Sequence, residues 1–248
     1  MDEKTWLACQ SLGPMVGLLD DKATERKLRL FGTACCRRLW HLLSDERTRQ
    51  AVEISEGYAD ETVSKAELDL HRRAAWEANR YVTGKSYSSS YDRTVVRWAS
   101  EAVAKLTSKK VHKLVPTLAR EAAEAVAEHA GRAAKPPQAY AEFRQSTVTS
   151  ERAAQLTLFR DIFGNPFRPL EINETWFAWH DGTIQRLALA AYEDRELPSG
   201  NVNTTRLAIL ADALEEAGCV EASILEHLRG AGPHVRGCFA LDLLLGKT

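Results

Sequence analysis

The sequence predicts an all-α protein: an irregular multi-helix bundle, or stacked helical hairpins, with no substantial sheet. Three observations carry that prediction. Apolar residues recur at three- and four-residue steps along almost the whole chain. Capping residues stand where those stripes begin and end. No segment alternates apolar and polar residues over the length of a strand. No fixed internal period repeats residue identity, so a regular solenoid is not expected.

From Thr24 to Leu43 the stripe is Leu28, Phe31, Cys35, Leu39 and Leu42, on one face about 80° wide. Thr24 is placed as its N-cap. Arg26 and Arg37 fall opposite the stripe, with Lys27 and Arg38 on one flank. Ser44 opens a second helix reaching about Ala59, with Ala51, Ile54 and Tyr58 inward. Ser64 and Glu67 have capping-box spacing, and the helix after them turns Leu68, His71, Ala75, Ala78 and Val82 to one side. Residues 84–91 (GKSYSSSY) are polar and turn-rich and read as a loop. A helix from Asp92 or Thr94 then runs through Val95, Trp98, Ala102 and Leu106. Pro116 fits the first turn of an alanine-rich helix to about Ala134. Pro136-Pro137 precedes a long helix to Phe163.

Gly164-Asn165-Pro166-Phe167-Arg168-Pro169 has two prolines and no period, so it reads as a rigid connector. Trp176, Phe177, Trp179 and Ile184 add apolar bulk before a helix to about Glu193. Leu207, Leu210, Ala211 and Leu214 give the next helix a core stripe, ended by Gly218. Ile224, Leu225 and Leu228 serve another, closed by Gly230. Gly232-Pro233 is expected to start the last, which buries Val235, Phe239 and Leu243. We place a main helical region at 1–162, containing the 84–91 loop. The connector and a compact C-terminal helical region packed on it follow at 163–248, a division that one continuous domain would also satisfy.

Composition bounds function. Of 248 residues 44% are apolar and 27% charged, with a net charge of −1, which removes the bulk electrostatic argument for nucleic acid. Charge is nonetheless segregated: residues 163–248 hold seven Lys/Arg against twelve Asp/Glu, and the remainder is mildly basic. Apolar runs such as Leu187–Ala191 are far too short to span a bilayer. Met1 is followed by Asp2, Glu3 and Lys4 rather than an apolar leader, so a cytoplasmic location is expected. Five sparse cysteines (Cys9, Cys35, Cys36, Cys219 and Cys238) argue against a disulfide framework. Neighbouring side chains on a helix diverge by about 100°, so Cys35 and Cys36 are not expected to bridge.

Gly84-Lys85-Ser86 imitates the end of a phosphate-binding loop, but Asn79 stands where its first glycine belongs and a helix precedes it, so we exclude it. The metal-like clusters are Cys35-Cys36 with His41, and His227, His234 and Cys238 with Cys219. His234 and Cys238 stand one helical turn apart, which would aim both at one ion. Their spacings match no zinc pattern, and packed thiols with capping or surface histidines are the simpler reading. The same pair taken as thiol nucleophile and base lacks an orienting group and an oxyanion hole. Arg26, Lys27, Arg37 and Arg38, with Arg29 and Trp40, make a basic face that could follow phosphates. Asp20, Asp21, Asp45 and Glu46 bracket it, so salt bridges between helices are the preferred reading.

Three stretches carry a family resemblance. They are RKLRLFGTACCRRLW at 26–40 with DERTRQAVE at 45–53; FGNPFRP at 163–169; and LAILADALEEAGC with GPHVRGCFALDLLLGK near the end. In that order they resemble an uncharacterised family of bacterial helical proteins, abundant as paralogues in a few large-genome lineages. LADALEEAG is also weakly similar to the short companion domain of bacterial repeat-containing proteins. The resemblance implies a bacterial, cytoplasmic, helical protein and assigns no activity, cofactor or site residue. The leading expectation is therefore a non-enzymatic interaction or accessory module whose partner is another protein, with no membrane and no cofactor. Trp176, Phe177 and Trp179 are candidate anchors for that partner. Nucleic-acid binding through the Arg26–Arg38 face comes second, and a metal- or thiol-dependent protein centred on His234 and Cys238 third.

Overall fold

The structure, a computed structural model, describes residues 1–19, 23–84 and 90–247; for residues 82–84 and 90–93 it gives backbone only. Among the described residues it holds thirteen α-helices and one two-stranded antiparallel ribbon, which is the all-α architecture the periodicity predicts. None of these helices is long and apolar enough to cross a membrane. Most of the 84–91 loop, Val82's side chain, Lys85 and Ser86, and the aspartates at 20 and 21 lie outside the described residues.

Two compact units divide the chain: Ala8–Leu156, and Met1–Leu7 with Thr157–Thr248. In the first, α3 (Glu25–Arg38) packs against α4 (Glu46–Ala59), α6 (Ser90–Leu106) and α7 (Val111–Ala133). Surrounded in this way, α3 buries ten of its fourteen residues, far more than the single stripe that its sequence advertises. Thr24 caps it, its hydroxyl accepting the Lys27 N–H at 3.3 Å. The cap of α4 is Asp45 rather than Ser44, its carboxylate accepting the Arg47 N–H at 3.0 Å. That anion also sits at the positive end of the helix. The Ser64/Glu67 capping box closes reciprocally at the start of α5 (Lys65–Gly84), with bonds of 3.2 and 3.1 Å.

Arg29 is fully buried in α3, donating to the carbonyls of Leu106 at 2.7 Å and Ser108 at 3.0 Å. A cation there answers the unpaired carbonyls where α6 ends. α7 begins at Val111, so Pro116 sits in its second turn and not its first. That proline has no N–H to return to the preceding turn. After a 3-10 turn at Pro137–Ala139, α8 runs from Tyr140 to Phe163.

The second unit takes the last turns of α8, where Phe159 lies 4.4 Å from Phe163 and 6.0 Å from Trp6. Trp6 stands on α1 (Glu3–Ala8), and Asn165 binds that helix through Glu3 at 2.7 Å. Residues 164–173 are irregular, as the connector motif requires. α9 (Glu174–Ala178), α10 (Thr183–Glu193), α11 (Thr204–Glu216), α12 (Ala222–Arg229) and α13 (Phe239–Leu245) follow, with β1 (Arg195–Glu196) and β2 (Asn201–Val202) between α10 and α11. Their shared core holds Ile184, Ala188, Leu207, Leu210, Leu214, Ile224, Leu228 and Leu241. Trp176 is buried in that core and Phe177 and Trp179 pack against it, so these aromatics are structural. The last helix starts at Phe239, six residues beyond Pro233. The intervening stretch is held open by a backbone bond from Val202 N–H to the His234 carbonyl at 2.8 Å and an antiparallel bridge between Asn201 and Val235.

Candidate metal centre

The basic face of the sequence does not form one solvent-facing patch. Arg37 points inward with its side chain 3% exposed and grips the buried Glu56 through two nitrogens, at 2.8 and 3.3 Å. Arg26 pairs with Asp60 at 2.9 Å, and Arg38 holds Glu151 through two bonds of 2.8 Å. Lys27 and Trp40 are half-buried, the Trp40 ring lying 5.5 Å from the Arg37 guanidinium. Each of the three arginines is thus bridged to a carboxylate of another segment, but the partners are Asp60, Glu56 and Glu151 rather than the bracketing Asp45 or Glu46.

The C-terminal candidates do converge. His227 lies in the last turn of α12, His234 in the irregular stretch after it, and Cys238 is the residue capping α13. Asp161, from the last turn of α8, joins them. One donor atom from each of the four lies within 4.8 Å of the other three. His227 Nε2 is 3.1 Å from Cys238 Sγ and 3.2 Å from Asp161 Oδ1. His234 Nδ1 is 2.9 Å from the same carboxylate oxygen. Cys219 is buried in the C-terminal core and takes no part in the cluster.

These contacts correct the sequence reading in two ways. His234 and Cys238 do not share a helix, so the loop rather than one helical turn brings them together. The ring nitrogen bonded to the thiol belongs to His227, not His234. A nucleophile, base and orienter need the thiol on one imidazole nitrogen and the carboxylate on the other. Here both face the same nitrogen, which carries one hydrogen at most.

The outer atoms of the cluster are fixed from behind. Asp161 Oδ2 accepts the Val235 N–H at 3.0 Å, and His234 Nε2 meets the Gly230 carbonyl at 3.2 Å. With its proton on Nε2 toward that carbonyl, neutral His234 turns an Nδ1 lone pair toward a carboxylate oxygen. Two lone pairs in that position call for a cation between them or a second proton on the ring. Gly232 lets the loop make this turn: its φ is +79°, and a Cβ there would stand 2.8 Å from His234 N.

Asp161, His234 and Cys238 are buried, and the His227 side chain is 19% exposed. Burial pushes the Asp161 carboxyl up, but hydrogen bonds and charge from His227 and His234 outweigh it and hold it below the ordinary range. Burial drives the His234 imidazole down, yet the Asp161 contact and the Gly230 carbonyl leave it raised overall. The Cys238 thiol is pushed well up by burial and by the Asp161 charge, with the amides of Leu241 and Ala240 acting in the opposite direction. A thiol in such a place is a poor nucleophile, whereas a dication would favour its thiolate.

The donor set of two imidazole nitrogens, one sulfur and one carboxylate oxygen suits zinc or a neighbouring divalent transition metal. Tetrahedral bonds of about 2.0–2.3 Å place ligand atoms about 3.3–3.8 Å apart. The separations, 2.9–3.2 Å for three pairs and at most 4.8 Å overall, reach that geometry with small side-chain shifts. Compared with family models, curated proteins and solved structures, the chain matches none.

Proposed function

We propose that this protein is a non-enzymatic helical module built around one structural transition-metal dication of the zinc class, held by Asp161, His227, His234 and Cys238. The observation that carries the reading is the approach of thiol and carboxylate to the same nitrogen of His227. A catalytic relay does not want that arrangement, and a tetrahedral ion does. Four protein donors complete the shell and leave no position for a substrate, as in structural rather than catalytic zinc sites. The backbone contacts of Asp161 Oδ2 and His234 Nε2 supply the outer support that such ligands require.

Elemental analysis of the purified full chain tests this directly, with one zinc per chain as the expected result. Replacement by Co²⁺ is expected to give tetrahedral d–d bands and a sulfur-to-metal charge-transfer band. Cys238→Ser removes the latter, and His227→Gln weakens binding. A chain that neither carries metal nor changes spectrum or stability on titration with Zn²⁺ or Co²⁺ overturns the proposal.

A further inference from the structure

Three of the four donors belong to one short stretch, H-x6-H-x3-C from His227 to Cys238, while the fourth is 66 residues earlier in the chain. The core of α10–α13 closes without that fourth element: its buried members run from Trp176 to Leu244 and include no residue of 157–163. Asp161 ties the end of α8 to this core by side-chain chemistry. Its two oxygens reach His227, His234 and the Val235 amide. Beside it, Gly164 packs on the Phe239 ring, where a Cβ would come within 3.0 Å. A dication among these groups therefore bonds the apolar core of α10–α13 to a helix end whose Asp161 carboxylate reaches into it.

We infer that the metal acts as a latch: its occupancy decides whether residues 157–163 are fastened to the α10–α13 core, and that core stays folded in either state. This rests on the metal reading above. It differs from the behaviour of small zinc-dependent domains, which unfold outright when the ion is removed. The difference comes from the size of the apolar core that α10–α13 buries without ligand help.

Hydrogen exchange on the full chain, zinc-loaded and after chelator treatment, tests the latch. Removing metal is expected to speed amide exchange at 157–163 and 230–238 by about tenfold or more, as local opening rather than global unfolding. Amides of α10 and α11 keep their protection. Asp161→Ala supplies a second arm, because three donors remain to hold cobalt and its charge-transfer band while every side-chain bond of residue 161, the one from the Val235 amide included, is removed. In that variant 157–163 exchanges fast even with metal bound. Three results overturn the latch. Loss of protection across all of 174–245 on chelation makes the ion an obligate folding element. Stoichiometric metal with no change in exchange, or wild-type protection in the metal-bound variant, leaves the metal reading standing and the latch refuted. Absence of any metal binding removes both.

Discussion

Replacing Arg37 by alanine is expected to destabilise the Ala8–Leu156 unit severely, because Arg37 is a buried ion-pair member and not a surface cation. Its side chain is 3% exposed and that of Glu56 7%, with contacts of 2.8 and 3.3 Å between them. Truncation takes the Arg37 cation away from the buried Glu56 carboxylate, and breaking a buried pair in this way costs about 3–5 kcal/mol. The ring contact with Trp40 adds about 0.5–1 kcal/mol. A solvated pair would cost only about 0–1 kcal/mol, so the two cases are well separated. For a unit of this size a loss of 3–5 kcal/mol lowers Tm by roughly 6–20 °C. Urea denaturation followed by circular dichroism gives the free energy. The double replacement Arg37→Met with Glu56→Leu removes both charges and is expected to recover most of the loss. An Arg37→Ala protein within 1 kcal/mol of wild type would refute the buried-pair reasoning. It would also return Arg37 to the pool of cations available to an anionic ligand.

Further outcomes follow from the same geometry. Gly232→Ala forces a Cβ to 2.8 Å from His234 N at a φ of +79°, so it is expected to cost about 1–3 kcal/mol and weaken cobalt binding in a spectroscopic titration. Unchanged binding and stability would show that the loop tolerates another path. Of five cysteines, Cys9 is the half-exposed one and the others are buried, with the Cys35, Cys36 and Cys238 thiols pushed up chiefly by burial. A thiol reagent should therefore titrate one fast cysteine in the native chain and five in denaturant; two or more fast thiols would contradict the packing. Burial raises the Glu128 carboxyl, but bonds from Tyr140, Arg132 and Arg144 overcome this and hold it below the usual range. A carboxyl depressed in the folded state contributes stability that is complete above its unfolded value and lost as pH falls through the folded one. Glu128→Gln should accordingly flatten the acid limb of the stability curve below about pH 4, and an unaltered limb in that variant would count against the network.

What was legible in the sequence is what neighbouring residues decide among themselves. The Thr24 cap, the Ser64/Glu67 box, the stripe from Leu207 to Leu214 and the break at Gly218 each involve groups within a few positions. All of them stand in the structure. Elsewhere tertiary packing overrides the local pattern. Arg37 looks like a polar-face residue because its own helix repeats apolar groups on the other side, and only α4, with Glu56, makes the burial affordable. Pro233 looks like a helix start, but the segment after it pairs with β2 and the helix waits for Cys238.

The metal centre divides along the same line. His227, His234 and Cys238 were visible as a cluster of ligand types, and helical spacing gave His234 and Cys238 a false reason for meeting. Asp161 carried no local mark at all: on the sequence it is one more carboxylate on an amphipathic helix, 66 residues before its nearest co-ligand. Cys219 looked equally eligible and was absorbed by the apolar core. The fourth donor is thus selected by which helix end the fold delivers to the loop. That is why replacing Asp161 should separate metal binding from fastening, whereas replacing Cys238 should weaken the two together.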